Sequence, residues 1–475
     1  MSQTTYLDTE AVRASLDALP EYIQDTYLSR RKKTFKDIKI MGVDQAKVLS
    51  FTVMMPEDRN VDVEVWAQRP IQVKITPQGE APPQKLLDLL REDIMIMVQL
   101  FEEKVRTTTL YFNFVRSETV ETEEAQPRWE RIIIRLLTES MMLLNIIFMF
   151  MSIFLFMYIG FWTPVVLIAL QVLIVLNSDK IIMERGTWPV TSDNPTVHLL
   201  QYHLSVEEFN EFRRKHGFEV LKDIKKRIHD RTLAAEKSLD FDTVAEAFAE
   251  YGVECKPERA SIKTINLYQL IEVAAQKFDV PIPKVTILNT MMPNAAASGP
   301  SPNRATVLVT TGLLAQLEEE EIYSVLGHEF SHLRGRDPLA LFTLGALEYL
   351  LRAYVLWSFM YYFPLGYLFI SLGLVYFVAK VFEARSDLES AVRIGNPKAL
   401  AEGLRKIGFR KLYFERVHAQ RLRGWIGWEP HPPAYFRIRR LDKFQPSKQP
   451  KDLLVQSAKD CITGFLRALI SFSYP

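Results

Sequence analysis

The sequence predicts an α+β fold interrupted by two helical hairpins, about four transmembrane helices in all. Three observations carry this. Two long stretches are almost free of charge. Outside them, strand-like and helix-like periodicities alternate. The composition of the whole chain is still balanced: 475 residues, 48% hydrophobic, 24% charged, net charge +1. Such a chain is long enough for roughly three domains of about 150 residues. It is too apolar and too balanced in charge to be disordered. It lacks the basic excess that a nucleic-acid partner demands. Its two cysteines, Cys255 and Cys461, make no disulfide framework.

Residues 1–126 mix strand-like runs at 47–54, 61–66, 71–75 and 110–115 with a helical run at 85–105. They read as an N-terminal α+β accessory domain without a catalytic constellation. The first 20 residues have no basic and apolar leader pattern, so no cleaved signal is expected. The acidic, Thr-rich residues 117–125 read as a linker.

The first hairpin occupies 127–185. Ser140 to Ser178 is 39 residues without Asp, Glu, Lys or Arg. As one helix it would be about 58 Å long at about 1.5 Å per residue, against a bilayer core of about 30 Å. Two helices, about 141–159 and 163–181, turn at Gly160 to Pro164. Residues 186–260 follow as a helical, charged accessory segment. Its histidines, His198, His203, His216 and His229, show no ligand spacing and read as solvated or core residues.

The second hairpin occupies 339–382, with Phe363-Pro364 at the turn. Glu348 and Arg352 lie inside it at i, i+4 spacing, where they can pair. They read either as the lining of a polar cavity or as a structural ion pair. With this pair present, the hairpin either crosses the membrane or dips into it and returns. Both turns are short and lack Lys and Arg. The opposite ends carry Arg128, Arg131, Arg135, Lys180, Arg185, Arg334, Arg336, Lys380 and Arg385. The positive-inside rule puts these, and the soluble segments, in the cytoplasm.

The chemistry lies in two pieces, 261–338 and 383–447, on either side of that hairpin. A C-terminal helix is expected over 448–475. Ile322, Val325, Leu326, Phe330 and Leu333 recur at helical spacing, and Gly335 is a natural stop. On that helix stands His328-Glu329-Phe330-Ser331-His332. Residues i and i+4 share a helix face, so both imidazoles reach one Zn²⁺, and Glu329 is placed to take a proton from the attacking water. A catalytic zinc needs a third protein ligand and one open position. Glu383 is the candidate, and Asp387, one turn on, would hold the free ring nitrogen of a zinc histidine. The runs 294–298 and 304–310 are strand-like and joined by a turn-rich 299–303. An edge strand of Asn294, Ala295, Ala296, Ala297 and Ser298 would bind an unfolded polypeptide by strand addition.

Five ordered motifs are similar to those of the membrane-embedded M48 metallopeptidases, specifically the HtpX-like heat-shock proteases. They are Asn294-Ala-Ala-Ala-Ser-Gly299, Val307 to Leu314, His328 to His332 followed by Arg336-Asp337, Glu383-Ala-Arg-Ser-Asp387, and His431-Pro-Pro with Arg437 to Leu441. The resemblance covers about 265–441 and both hairpins. It implies a zincin-like catalytic fold with one Zn²⁺ per chain, held by His328, His332 and Glu383, and Glu329 as general base. It also implies that His431 lies near the substrate, where a donor would stabilise the oxyanion. The expectation is a multi-pass zinc endopeptidase of a prokaryotic plasma membrane, its active site facing the cytoplasm. It would cut misfolded or membrane-associated proteins, with polypeptide and the lipid bilayer as partners and no nucleic acid. The competing expectation is a zinc-stabilised membrane scaffold or holdase that binds clients uncut. Neither oligomeric state nor substrate is readable.

Overall fold

The computed structural model describes residues 2–29, 33–43, 46–55, 59–80, 82–116, 141–217 and 219–472. The expected linker and the basic residues Arg128, Arg131 and Arg135 lie outside these. The chain divides into two units, one of Met1–Val120 with Thr196–Ile265, the other of Glu121–Pro195 with Asn266–Pro475.

The first unit contains two sheets. Strands β1 (Gln3–Leu7), β2 (Phe35–Val43), β3 (Ala46–Val53), β4 (Val61–Ala67) and β5 (Ile71–Pro77) form an antiparallel sheet in the order β1-β5-β4-β3-β2. In β4 every second side chain is buried, Val61, Val63 and Val65 among them, as the two-residue period of a strand requires. Short helices α1 (Arg13–Leu16) and α2 (Leu19–Ile23) and the long α3 (Gln84–Arg106) accompany it. Arg91 of α3 donates to Gln3 of β1 at 2.6 Å.

Strand β6 (Thr109–Val115) does not join that sheet. It pairs with β8 (Thr196–His203), which neighbours β9 (Ala260–Asn266). Helices α7 (Val206–His216), α8 (Glu219–Arg231) and α9 (Phe241–Ala249) close a core of Phe112, Phe114, Tyr202, Ile224 and Phe248 over it. The segment 186–260 is therefore helical only in part. The run Thr196–His203 is short and its apolar residues are nearly continuous, so periodicity alone cannot separate strand from helix there. His198 lies against Thr264 and His203 against Thr109, while His216 packs on Phe212 and Tyr251.

The second unit carries the apolar segments. Helices α4 (Met141–Ile159), α5 (Thr163–Leu176) and α6 (Ser178–Arg185) follow the first apolar run, and β7 (Trp188–Val190) follows them. Gly160, at φ 56°, breaks the run; the left-handed conformation suits glycine. Then come α10 (Leu267–Phe278), β10 (Lys284–Leu288), β11 (Ala295–Ser301), β12 (Arg304–Thr310), α11 (Thr311–Gln316), α12 (Glu319–Gly335), α13 (Asp337–Leu350), α14 (Trp357–Tyr362) and α15 (Pro364–Ile394). The chain ends with α16 (Pro397–Phe414), α17 (His418–Ile426), α18 (Ala434–Asp442) and α19 (Leu453–Phe472). The sheet order is β11-β12-β10-β7, with β10 and β12 parallel and the outer pairs antiparallel.

Among the described residues, three segments are long and apolar enough to cross a membrane: Ile147–Leu176, Asp337–Val355 and Pro364–Ile394. Leu365, Ile370 and Leu374 face outward from the last. The second hairpin's return arm does not stop at residue 382. α15 runs on unbroken to Ile394, because Glu383-Ala-Arg-Ser-Asp contains no breaker and its carboxylates are paired by neighbouring elements. Glu348 bonds to Arg352 at 3.1 Å and accepts from Tyr367 of α15 at 3.2 Å. The pair is thus a structural bridge between the two arms.

Candidate metal centre

α12 begins with three glutamates, Glu319, Glu320 and Glu321, where carboxylates favour the positive end of the helix dipole. The Glu318 N–H donates back to Glu321 at 2.8 Å. One face of the helix buries Ile322, Leu326 and Phe330 completely. The helix ends one residue later than the glycine stop suggests: Gly335 is still helical, and Arg336 takes the left-handed conformation at φ 53°. Gly335 serves closeness instead. A Cβ there would lie 2.3 Å from the Arg385 guanidinium. Gly327 acts likewise, since a Cβ would lie 2.6 Å from Ile394 and 2.8 Å from Ser390. α12 and α15 thereby approach closely on both sides of His328.

That approach brings two imidazoles and one carboxylate together. His328 Nε2 and His332 Nε2 are 3.1 Å apart. Glu383 Oε2 lies 3.3 Å from the first and Glu383 Oε1 lies 3.3 Å from the second. A tetrahedral zinc with bonds of about 2.0–2.2 Å has ligand-to-ligand edges of about 3.3–3.6 Å. The triangle is thus of the right size for one ion, with its donors all nitrogen or oxygen. His328, His332 and Glu383 form the one such group found among the described residues.

The far ring nitrogens face carboxylates. Asp387 Oδ1 lies 3.0 Å from His328 Nδ1. Asp387 in turn receives two hydrogen bonds from Arg437, at 2.7 and 2.8 Å, the fork geometry in which arginine grips a carboxylate. Asp337 Oδ2 lies 2.8 Å from His332 Nδ1 and accepts from Arg385 at 2.8 Å. Ser386 Oγ is 3.2 Å from the same ring nitrogen. Burial alone would lower the His332 pKa, but the Glu383 and Asp337 carboxylates override it and push it up to about 10. His328 is raised as well: burial opposes, and Asp387 and Glu383 prevail. Both shifts have one cause, an acidic enclosure that favours positive charge. A divalent cation held by these residues would supply that charge in place of a proton on each ligating ring nitrogen.

Glu329 points from α12 towards the sheet and accepts from the Ala297 N–H at 3.1 Å. Ala297 belongs to β11, which pairs with β12 on one side and lies at the sheet edge on the other. Ala295 and Ala297 are in register with Val309 and Val307, while Ala296 and Ser298 face Leu308 and Thr306. Asn294 precedes the strand and is tied to Thr310 by main-chain and hydroxyl bonds. Gly299 allows the bend, because a Cβ would lie 1.9 Å from the Arg304 carbonyl. His431, about half exposed, sets its Nδ1 2.8 Å from Glu383 Oε2 at the mouth of the cluster.

The structure thus draws together His328, Glu329, His332, Glu383, Asp387, His431 and the strand residue Ala297. Asp337 and Arg437 belong with them and were assigned no role from sequence. Asp337 follows a left-handed turn, so helical spacing says nothing about it. Arg437 is 50 residues from its partner Asp387. Their only signal was membership of the quoted motifs.

Residues 261–445 match the model of peptidase family M48. A protease HtpX homolog of Moorella thermoacetica is 34% identical over 163 residues, 30% of this chain and 54% of that protein. One of Thermodesulfovibrio yellowstonii is 40% identical over 106 residues, 22% of this chain and 36% of that protein. A second homolog of Methanosarcina acetivorans is 28% identical over 204 residues, 35% of this chain and 68% of that protein. The chain spans about half or less of the length of the first two relatives.

Proposed function

We propose, from the premise that this chain carries a peptidase family M48 domain at 261–445, that it is a membrane-bound zinc endopeptidase. The proposal extends to a zincin-like fold, a multi-pass chain in a prokaryotic plasma membrane, and polypeptide clients that are misfolded or membrane-associated. The observation that carries it is the His328–His332–Glu383 cluster, in which the two Nε2 atoms lie 3.1 Å apart and each lies 3.3 Å from one Glu383 oxygen, beside Glu329, a second glutamate on the same helix as the histidines.

The roles follow from the chain's own groups. His328, His332 and Glu383 would hold the ion. Bound zinc supplies Lewis acidity, which makes water nucleophilic near neutral pH and polarises a carbonyl. Asp387 and Asp337 keep each imidazole turned with Nε2 inward, and Arg437 and Arg385 hold those carboxylates in place. Glu329 takes the proton from the attacking water and passes it to the leaving amine. A client strand lies along the free edge of β11 and displaces Glu329 from the Ala297 N–H. This orients its scissile carbonyl without reading its sequence. His431, half exposed at the rim, donates to the developing oxyanion.

The test is degradation of casein by detergent-purified protein, with and without a chelator, beside Glu329→Gln. The proposal expects cleavage that stops with the chelator, returns with zinc, and is absent from Glu329→Gln. A holdase would bind casein without cutting it, and Glu329→Gln would behave as the wild type.

A further inference from the structure

Outside the metal centre, the C-terminal helix α19 carries two apolar stripes and packs only one of them. Ala458, Cys461, Phe465 and Ala468 close against Phe377, Val381 and Ala384 of α15, with Trp425. Gly464 permits this closeness, since a Cβ there would lie 2.7 Å from the Trp425 ring. The contacts also fix direction. Arg440 joins Ser457 and Asp460 to the Ala384 carbonyl, and Cys461 lies on the Lys380 carbonyl. Phe465 and Ala468, further along α19, share a cluster with Phe377, further back along α15. The two helices therefore run in opposite directions. α19 travels away from Glu383 and along the apolar half of α15.

The second stripe is Ile462, Leu466 and Ile470, each 47–60% exposed. Its i, i+4, i+8 spacing is one helix face. Charge is divided along the helix in the same sense. Asp452 stands just before the helix, Lys459 and Asp460 lie in its first half, and Arg467 is the one charge in 461–472. A helix apolar on a face that protein does not cover is suited to lipid. One long cationic side chain can snorkel back to water.

The geometry points to a lipid-inserted C-terminal helix: from Ile462 to Ile470, α19 lies in the bilayer beside α15. From Cys461 to Ile470 it descends about 14 Å at about 1.5 Å per residue. That exceeds the depth of a surface-lying helix, about 5–10 Å, and falls short of a full span of about 30 Å. The occupant is lipid because the apolar half of α15, along which α19 packs at Phe377, itself turns Leu374 and Ile370 outward. This inference rests on the reading that α15 enters a membrane.

The test uses the full chain in phosphatidylcholine–phosphatidylglycerol vesicles. Single nitroxide labels are placed at Leu466, Ile470, Lys459 and Leu374, with Cys255→Ser and Cys461→Ala. A parallel set keeps the fully buried Cys461, in case its replacement disturbs folding. Collision with oxygen, which enters lipid, is compared with collision with a water-soluble nickel chelate. The oxygen-to-nickel ratio at Leu466 and Ile470 is expected to match Leu374 and exceed Lys459 several-fold. A ratio at both sites equal to that at Lys459 overturns the insertion while leaving α15 in the membrane. Exclusion of both reagents, with spin–spin broadening, overturns it in favour of a second copy of the chain. A water-exposed Leu374 removes the membrane reading itself, and the inference falls with it.

Discussion

On the proposed mechanism two glutamates do different work, and single substitutions separate them. If Glu383 is one of three zinc ligands, Glu383→Ala leaves two imidazoles, fewer than a stable zinc site has. Zinc content by atomic absorption and peptidase activity should fall together; full occupancy in this variant would reject Glu383 as a ligand. Glu329→Gln keeps shape and removes only the proton acceptor. Zinc should stay while turnover drops at least about 10²-fold, the usual scale for a lost general base. Asp337→Asn tests the support behind His332. Loss of such an outer partner weakens metal binding by about 10–100-fold, which competition against a chromophoric chelator would read. Unchanged affinity would reduce Asp337 to a partner of Arg385.

At the scale of elements, the site exists because α12 and α15 cross closely. Gly327 stands one residue before His328, and Ile394 and Ser390 fill the space a side chain would need. Gly327→Val therefore forces the helices apart. Overpacking of this kind costs about 1–3 kcal/mol. We expect a lower thermal midpoint and weaker zinc binding in the same variant, because His328 and Glu383 sit on different helices. A variant with wild-type midpoint and affinity would show that the crossing tolerates the added volume. The same packing explains why α15 continues past residue 382. It must carry its apolar half and Glu383 on one rigid rod.

For the whole molecule, the decisive question is which side of the membrane holds the metal centre. His332 precedes the second hairpin and Glu383 follows it, yet their ligand atoms are 3.3 Å apart. The chain must therefore return to the side from which it left. We propose that this side is the cytoplasmic one, because Lys180, Arg185, Arg334, Arg336, Lys380 and Arg385 belong to it and the positive-inside rule favours that placement. An impermeant thiol reagent on intact cells checks this, with single cysteines in a Cys-free chain. Ser301→Cys should stay unlabelled until the membrane is opened, and Tyr361→Cys at the hairpin turn should react from outside. Labelling of Ser301→Cys in intact cells would invert the orientation. A silent Tyr361→Cys would mean that the hairpin dips and returns without crossing.

Sequence alone determined whatever depends on short-range spacing. An i, i+4 pair of histidines shares a helix face wherever that helix lies, and 39 uncharged residues cannot stay in water as a single helix. The closeness of Glu383 and Asp387 to those histidines was legible only as a matching i, i+4 pair elsewhere in the chain and as one of the five motifs of the family resemblance. Tertiary structure decided the rest. It set Asp337 behind His332 through a left-handed Arg336, and joined Arg437 to Asp387 across 50 residues. It moved β6 into a sheet with β8, and bonded Ala297 to Glu329. None of these follows from periodicity, because each depends on where separate elements meet. That is fixed by packing: glycines that let helices approach, and buried charges that must find partners from elsewhere in the fold.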